Sequence, residues 1–258
     1  MNINYNYIKF ATLALSLNCV MTSFVNANEQ ASTQTLTSQS IATQNSAAQL
    51  PIKESSNAKR ILMAKLATLE HFSAAFNQDV YSESGEILEQ SSGKLAISKP
   101  NLANWHTLDP DELEIVSDGQ DVWFYNPWIE QVSVYSLSAA IAQTPILLLT
   151  SKDEALWQNY SVMQEILTKE QMAKNSGIHN DESFVITAKD VNSQIKSLTL
   201  RFNSKENNGK LKQFSFLDAT GQLSDIKLSD YDDQNPPKTS LFKFVVPEGV
   251  QIDDQRAN

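Results

Sequence analysis

Three histidines, one cysteine and two acidic clusters are the side chains of this 258-residue sequence whose types could carry chemistry. His71, His106 and His179 lie in dissimilar contexts with no close pair, so they read as hydrogen-bonded or surface histidines rather than a base or a ligand set. The run Asp230-Tyr-Asp-Asp-Gln-Asn235 invites a calcium reading, but it lacks the glycine and terminal glutamate of an EF-hand loop. It reads as a solvated turn, and so does Asp109-Pro-Asp-Glu112. A single cysteine excludes metal and redox centres built on cysteine clusters. The sequence has no GxSxG, HExxH, Walker or dinucleotide fingerprint, and its seven glycines are scattered. No catalytic constellation is visible, so the sequence predicts neither an enzyme nor a metal or cofactor site.

The bulk properties narrow the class further. Hydrophobic residues make up 41% and charged residues 19%, a globular balance with ample length for a buried core. A formal net charge of -10 argues against a nucleic-acid binder, which needs a basic face to neutralise phosphates.

Residues 1–27 read as a signal peptide. Lys9 is their one charge, Phe10–Met21 is the apolar run, and Val25-Asn26-Ala27 approximates the small-x-small cleavage pattern. Asn18 interrupts a run already shorter than the roughly 18 or more apolar residues a spanning helix needs. Cys19 follows Ser16-Leu17-Asn18, which puts polar residues at both diagnostic places of a lipid-attachment signal. Cleavage after Ala27 removes this cysteine and leaves a soluble chain without disulfides, as expected of a bacterial periplasmic protein.

Residues 28–57 are dominated by Ser, Thr, Gln, Asn and Ala, the composition of a disordered polar tether. The ordered domain is expected over 58–258. It opens with a helix from Ala58, capped by Asn57, whose Ile61, Leu62, Leu66 and Leu69 fall near one face. Alternation of period two then takes over, with Phe72, Ala74, Phe76, Gln78 and Val80 on one strand face. Leu95 and Ile97 continue it, and Glu114–Tyr125 reads as a hairpin around Asp118-Gly119. Further strands are predicted at 131–135, 184–188, 195–202, 211–217, 225–228 and 241–246. Many short strands with close turns indicate a curled or barrel-like antiparallel sheet. Thr144-Pro145 announces a short apolar helix through Leu149, which must be buried or cover an apolar cavity. The polar stretch Glu165–Glu182 reads as a surface insertion.

Three stretches are more specific than any of these patterns: Lys99-Pro-Asn-Leu-Ala-Asn-Trp-His106, Val116-Ser-Asp-Gly-Gln-Asp-Val-Trp-Phe-Tyr-Asn-Pro127 and Val246-Pro-Glu-Gly-Val-Gln-Ile-Asp-Asp-Gln255. In order and spacing they resemble the LolA family of periplasmic outer-membrane lipoprotein carriers. Thr144-Pro145 with its apolar run, and Trp157-Gln-Asn-Tyr160, fit as well. The resemblance implies an incomplete, strongly curved antiparallel β-barrel enclosing an apolar cavity under an α-helical lid. It implies a cofactor-free monomeric carrier that takes acylated lipoproteins from an inner-membrane ABC transporter to an outer-membrane receptor. Leu66, Trp105, Ile115, Ile146, Leu147, Leu148 and Leu149 then become cavity walls, where pattern alone would call them core. Where the family commonly has an arginine that latches the lid helix by its carbonyls, this chain has Lys99, expected to hold carbonyls near Leu149 more weakly. Ala103 stands where the family often has an aromatic, which reduces the apolar contact expected there.

Two other functions fit a pocket of this kind. The lipidated outer-membrane receptor of the same pathway shares the fold, and the context of Cys19 argues against it. A periplasmic lipid hydrolase needs a nucleophile with an adjacent base, which the sequence does not display.

Overall fold

The structure is a computed structural model and describes residues 56–141, 144–165, 181–203 and 209–256. The signal peptide, nearly all of the tether and most of the 165–182 insertion lie outside the described residues.

Twelve strands form one sheet among the described residues. In chain order they are β1 (His71–Tyr81), β2 (Ile87–Ser98), β3 (Leu102–Asp109), β4 (Leu113–Asp118), β5 (Asp121–Asn126), β6 (Gln131–Ser136), β7 (Tyr160–Glu165), β8 (Glu182–Ala188), β9 (Ile195–Phe202), β10 (Leu211–Asp218), β11 (Leu223–Asp232) and β12 (Gln251–Asp254). The spatial order is β12-β6-β5-β4-β3-β2-β1-β11-β10-β9-β8-β7. Every pair is antiparallel except β12 with β6. The sheet curls but does not close, since β12 and β7 are its two ends. Ring contacts show how tightly it curls. Trp105 on β3 and Phe214 on β10 lie four strands apart, about 19 Å in a flat sheet, yet their ring centroids are 6.1 Å apart.

The inward face of β1 is the predicted one: Phe72, Ala74, Phe76, Gln78 and Val80 are all buried. The register then carries inward rows across the sheet, Ala74–Leu95–Trp105–Ile115–Phe124 and Phe72–Ile97–Ala103–Ser117–Val122. Gly93 is required where β2 passes Phe76. A Cβ there would lie 2.1 Å from the His106 carbonyl oxygen and 2.7 Å from the Phe76 ring. The Asp118-Gly119 hairpin forms with Gly119 at φ 97°, and the Asp118 carboxylate accepts the amides of Gln120 and Asp121, both at 2.9 Å.

Helix α1 (Ser56–Thr68) buries Ala58, Leu62 and Leu66, a strict i, i+4 stripe, and packs against β7. It starts two residues earlier than expected, and Asn57 lies inside its first turn. The Asn57 side-chain oxygen accepts a bond from Arg60 at 2.8 Å. Two short helices, α2 (Leu137–Ile141) and α3 (Pro145–Thr150), sit between β6 and β7 in the chain.

Residues 241–246 differ from the predicted strand. They form a 3-10 turn over Thr239–Phe242 followed by an extended strap. The strap crosses the outer face of strands already paired on both edges, so its backbone has no ladder to join. Its alternating aromatics cover that face instead. Phe242 is buried, and the Phe244 ring lies 6.2 Å from Trp123 and 5.6 Å from Tyr125. Asn104 donates to the Leu241 carbonyl at 2.9 Å. Strands β7 and β12 end the sheet, and their polar sequences carry little alternation for sequence reading to detect.

Candidate functional site

Helix α3 is six residues long, and its centre Ile146-Leu147-Leu148-Leu149 is apolar on every side. No water-facing side exists for it, so it must be buried. Pro145 occupies the first turn as expected, but Thr144 does not cap it: its Oγ1 is buried without a hydrogen-bond partner among the described residues. The helix is joined to α2 by the bond from the Thr144 amide to the Ala140 carbonyl at 2.8 Å, and it packs against β3.

Beneath the helices, the Phe76 and Trp105 rings meet at 4.2 Å, and the Trp105 Nε1 donates to Thr107 Oγ1 at 3.1 Å. The seven side chains named from sequence are all interior. Leu66, Trp105, Ile115, Ile146, Leu147, Leu148 and Leu149 are each at most 4% exposed. At that burial they pack against their neighbours rather than line a large cavity. The interior is therefore filled, and α3 itself takes up part of it. A void of about 10 Å³, room for a single water, remains between Leu148, Ile186 and Leu198. Beside it an open cleft of about 510 Å³ lies between α2, β7 and the β8–β9 turn.

One turn holds both helices. In the β2–β3 connection, the Lys99 Nζ donates to the carbonyl of Leu66 near the end of α1, not to a carbonyl near Leu149 as expected. The α3 end is held two residues further on, where the Asn101 amide donates to the Thr150 carbonyl at 3.2 Å. Asn101 adopts φ 61°, and its carbonyl accepts the Ser117 hydroxyl at 2.6 Å, which fixes the turn to β4. Lys152, just past α3, pairs with Glu70, just past α1, at 3.2 Å. Burial pushes the Lys99 pKa below its ordinary value; Glu70 opposes that shift and Lys152 adds to it. Two more lysines pin α1: Lys59 donates to the Trp157 carbonyl at 2.5 Å, and Lys65 pairs with Glu182 at 2.7 Å.

Sequence reading missed Asn101, Glu70 and Lys152, and no local pattern could have found them, because each acts across distant segments. Ala103 is 3% exposed and points inward, so an aromatic there would enter the interior rather than add outer surface.

Nothing in this arrangement brings a nucleophile to a base or gathers metal ligands. No group of three or more His, Cys, Asp or Glu able to hold a metal occurs among the described residues. What the site offers is an apolar interior packed under α2 and α3.

The family model described as "Outer membrane lipoprotein carrier protein LolA" matches residues 67–245. An outer-membrane lipoprotein carrier protein of Aeromonas salmonicida is 35% identical over 195 residues, covering 76% of this chain and 88% of the relative. Another of that name, from Aliivibrio fischeri, is 39% identical over 186 residues, 72% of this chain and 84% of the relative. Among solved structures, a putative outer membrane lipoprotein-sorting protein domain from Vibrio parahaemolyticus covers 72% of this chain and 96% of its own, with a TM-score of 0.41 and 12% identity. The match to the family model and the identity to these carriers agree, and the chain belongs to the family of the outer membrane lipoprotein carrier protein LolA.

Proposed function

We propose that this protein is a periplasmic chaperone for lipoproteins. It takes them from an inner-membrane ABC transporter to an outer-membrane receptor, and it shelters their acyl chains under α2 and α3. The observation that carries the proposal is α3, four consecutive apolar residues driven fully inside a curved sheet and held at its end by one backbone bond to a turn.

Magnitudes support an exchange mechanism. Burying four such side chains is worth roughly 1.5–3 kcal/mol each, about 6–12 kcal/mol in all. One acyl chain of about sixteen carbons gains roughly 12 kcal/mol on leaving water, at ~0.8 kcal/mol per methylene. Cargo can therefore displace the helix, and the helix closing again returns a comparable sum when cargo departs. A site that bound acyl chains in a permanent void would lack that second half.

The protein works as an exported monomer, with cleavage after Ala27 and residues 28–57 as a tether. It uses no cofactor and performs no covalent step. The test is release of newly made lipoproteins from spheroplasts. Added protein should bring them into the soluble fraction in a complex with it, and their retention in the membrane would refute the reading.

A further inference from the structure

The void under Leu148 and the open cleft beside it share three residues: Ile141 at the end of α2, Tyr160 at the start of β7 and Ala188 at the end of β8. These three form a throat. Inside it the walls are Leu148, Ile186 and Leu198. Outside it the rim is polar, with Asn159, Lys189, Asp190, Asn192 and Gln194. At about 510 Å³ the outer cleft has the size of a small-molecule site, roughly 300–1,000 Å³.

Resting on the carrier reading above, we propose that this cleft is the portal by which an acyl chain enters, and that its rim receives an uncharged ester- or amide-bearing head. The chain end meets the throat first and Leu148 next, so its advance lifts α3 from the side where a void already exists.

The rim chemistry selects the head. Its one cation, Lys189, is adjacent to its one anion, Asp190, and the Lys189 Nζ already donates to the Gln158 carbonyl at 2.7 Å. The Asp190 carboxylate accepts the Asn192 amide at 2.9 Å. The Lys189 ammonium is already committed to a backbone carbonyl, whereas the side-chain amides of the rim suit ester and amide carbonyls. Burial raises the Tyr160 pKa, so its hydroxyl stays protonated and able to donate at the throat.

The test uses the full chain with Cys19→Ser and Ala188→Cys, folded first and then modified with a benzyl methanethiosulfonate. The probe is a fluorescent triacylated cysteinyl lipopeptide, followed by stopped flow. Modification should slow association at least tenfold, and reduction should restore it. The same reagent on Val191→Cys, at a position 82% exposed in the β8–β9 turn, should change it less than twofold. Association unchanged by the Ala188 adduct, with the unmodified protein binding normally, would overturn the portal and leave the carrier reading intact. An unmodified protein that binds no lipopeptide would overturn both. Phosphatidylglycerol should compete at least tenfold more weakly than a neutral diacylglycerol, and equal competition would overturn the assignment of the head.

Discussion

Lys99 donates to Leu66 through a flexible stem, in a part-buried setting, so its bond contributes about 1 kcal/mol rather than the full value of a buried charged bond. Lys99→Met should lower the unfolding midpoint by roughly 2–4 °C and raise the association rate of an acyl probe, with Lys99→Arg restoring both; calorimetry and stopped flow check this. The sign of its pH dependence follows from the lowered pKa. The closed form binds the proton less well than the open form, whose lysine titrates near 10.5. Closure should therefore strengthen as pH rises from the lowered value toward 10.5. The difference between wild type and Lys99→Met in probe binding across that window isolates the effect. Gly93 tests the packing of the sheet. A Cβ 2.1 Å from the His106 carbonyl cannot be accommodated without moving β2 from β3. Gly93→Ala should cost about 3 kcal/mol or more, lowering the midpoint by roughly 6–12 °C on thermal circular dichroism. A midpoint equal to wild type would contradict the strand path.

Helix α3 is legible in sequence because a run of four apolar residues behind a proline has few ways to exist. What holds it is not legible. The expected bond from Lys99 goes to α1, and the backbone of Asn101 supplies the bond to α3; side-chain type predicts nothing about a main-chain donor. Strands with one wet face were also legible, as β1 and the β4–β5 hairpin demonstrate. The 241–246 strap has the same alternation as a strand, and what separates the two is that it lies across strands already paired on both edges, where its backbone has no ladder to join. The element most open to test is α3 itself. Leu148→Glu places a carboxylate where the side chain is 3% exposed. An unpaired charge cannot remain there, so α3 should lift while the strand ladders persist. With the helix no longer competing for the acyl space, lipopeptide affinity should rise at least tenfold with the β-type circular dichroism retained. Unchanged affinity in the folded variant would remove α3 from the acyl site.

At the scale of the molecule, curvature turns a twelve-stranded sheet into a container, and contacts such as Trp105 with Phe214 measure how deep it is. The mainly β, curled architecture was readable from short strands and close turns. Its state was not, because cavity wall and core are the same residues in sequence. Leu66 and Ile146–Leu149 are buried against one another's surroundings here, and only motion distinguishes the two roles. The central claim is that acyl chains take the space α3 now fills. Lys152 and Glu70 face each other across the closure at 3.2 Å and are more than half exposed, so both tolerate replacement. In a Cys19→Ser background, Lys152→Cys with Glu70→Cys bridged by a short bis-methanethiosulfonate holds the segment after α3 to the end of α1. The bridged protein should lose at least tenfold in equilibrium affinity for a triacylated lipopeptide and regain it on reduction. Equal affinity before and after bridging would contradict the claim.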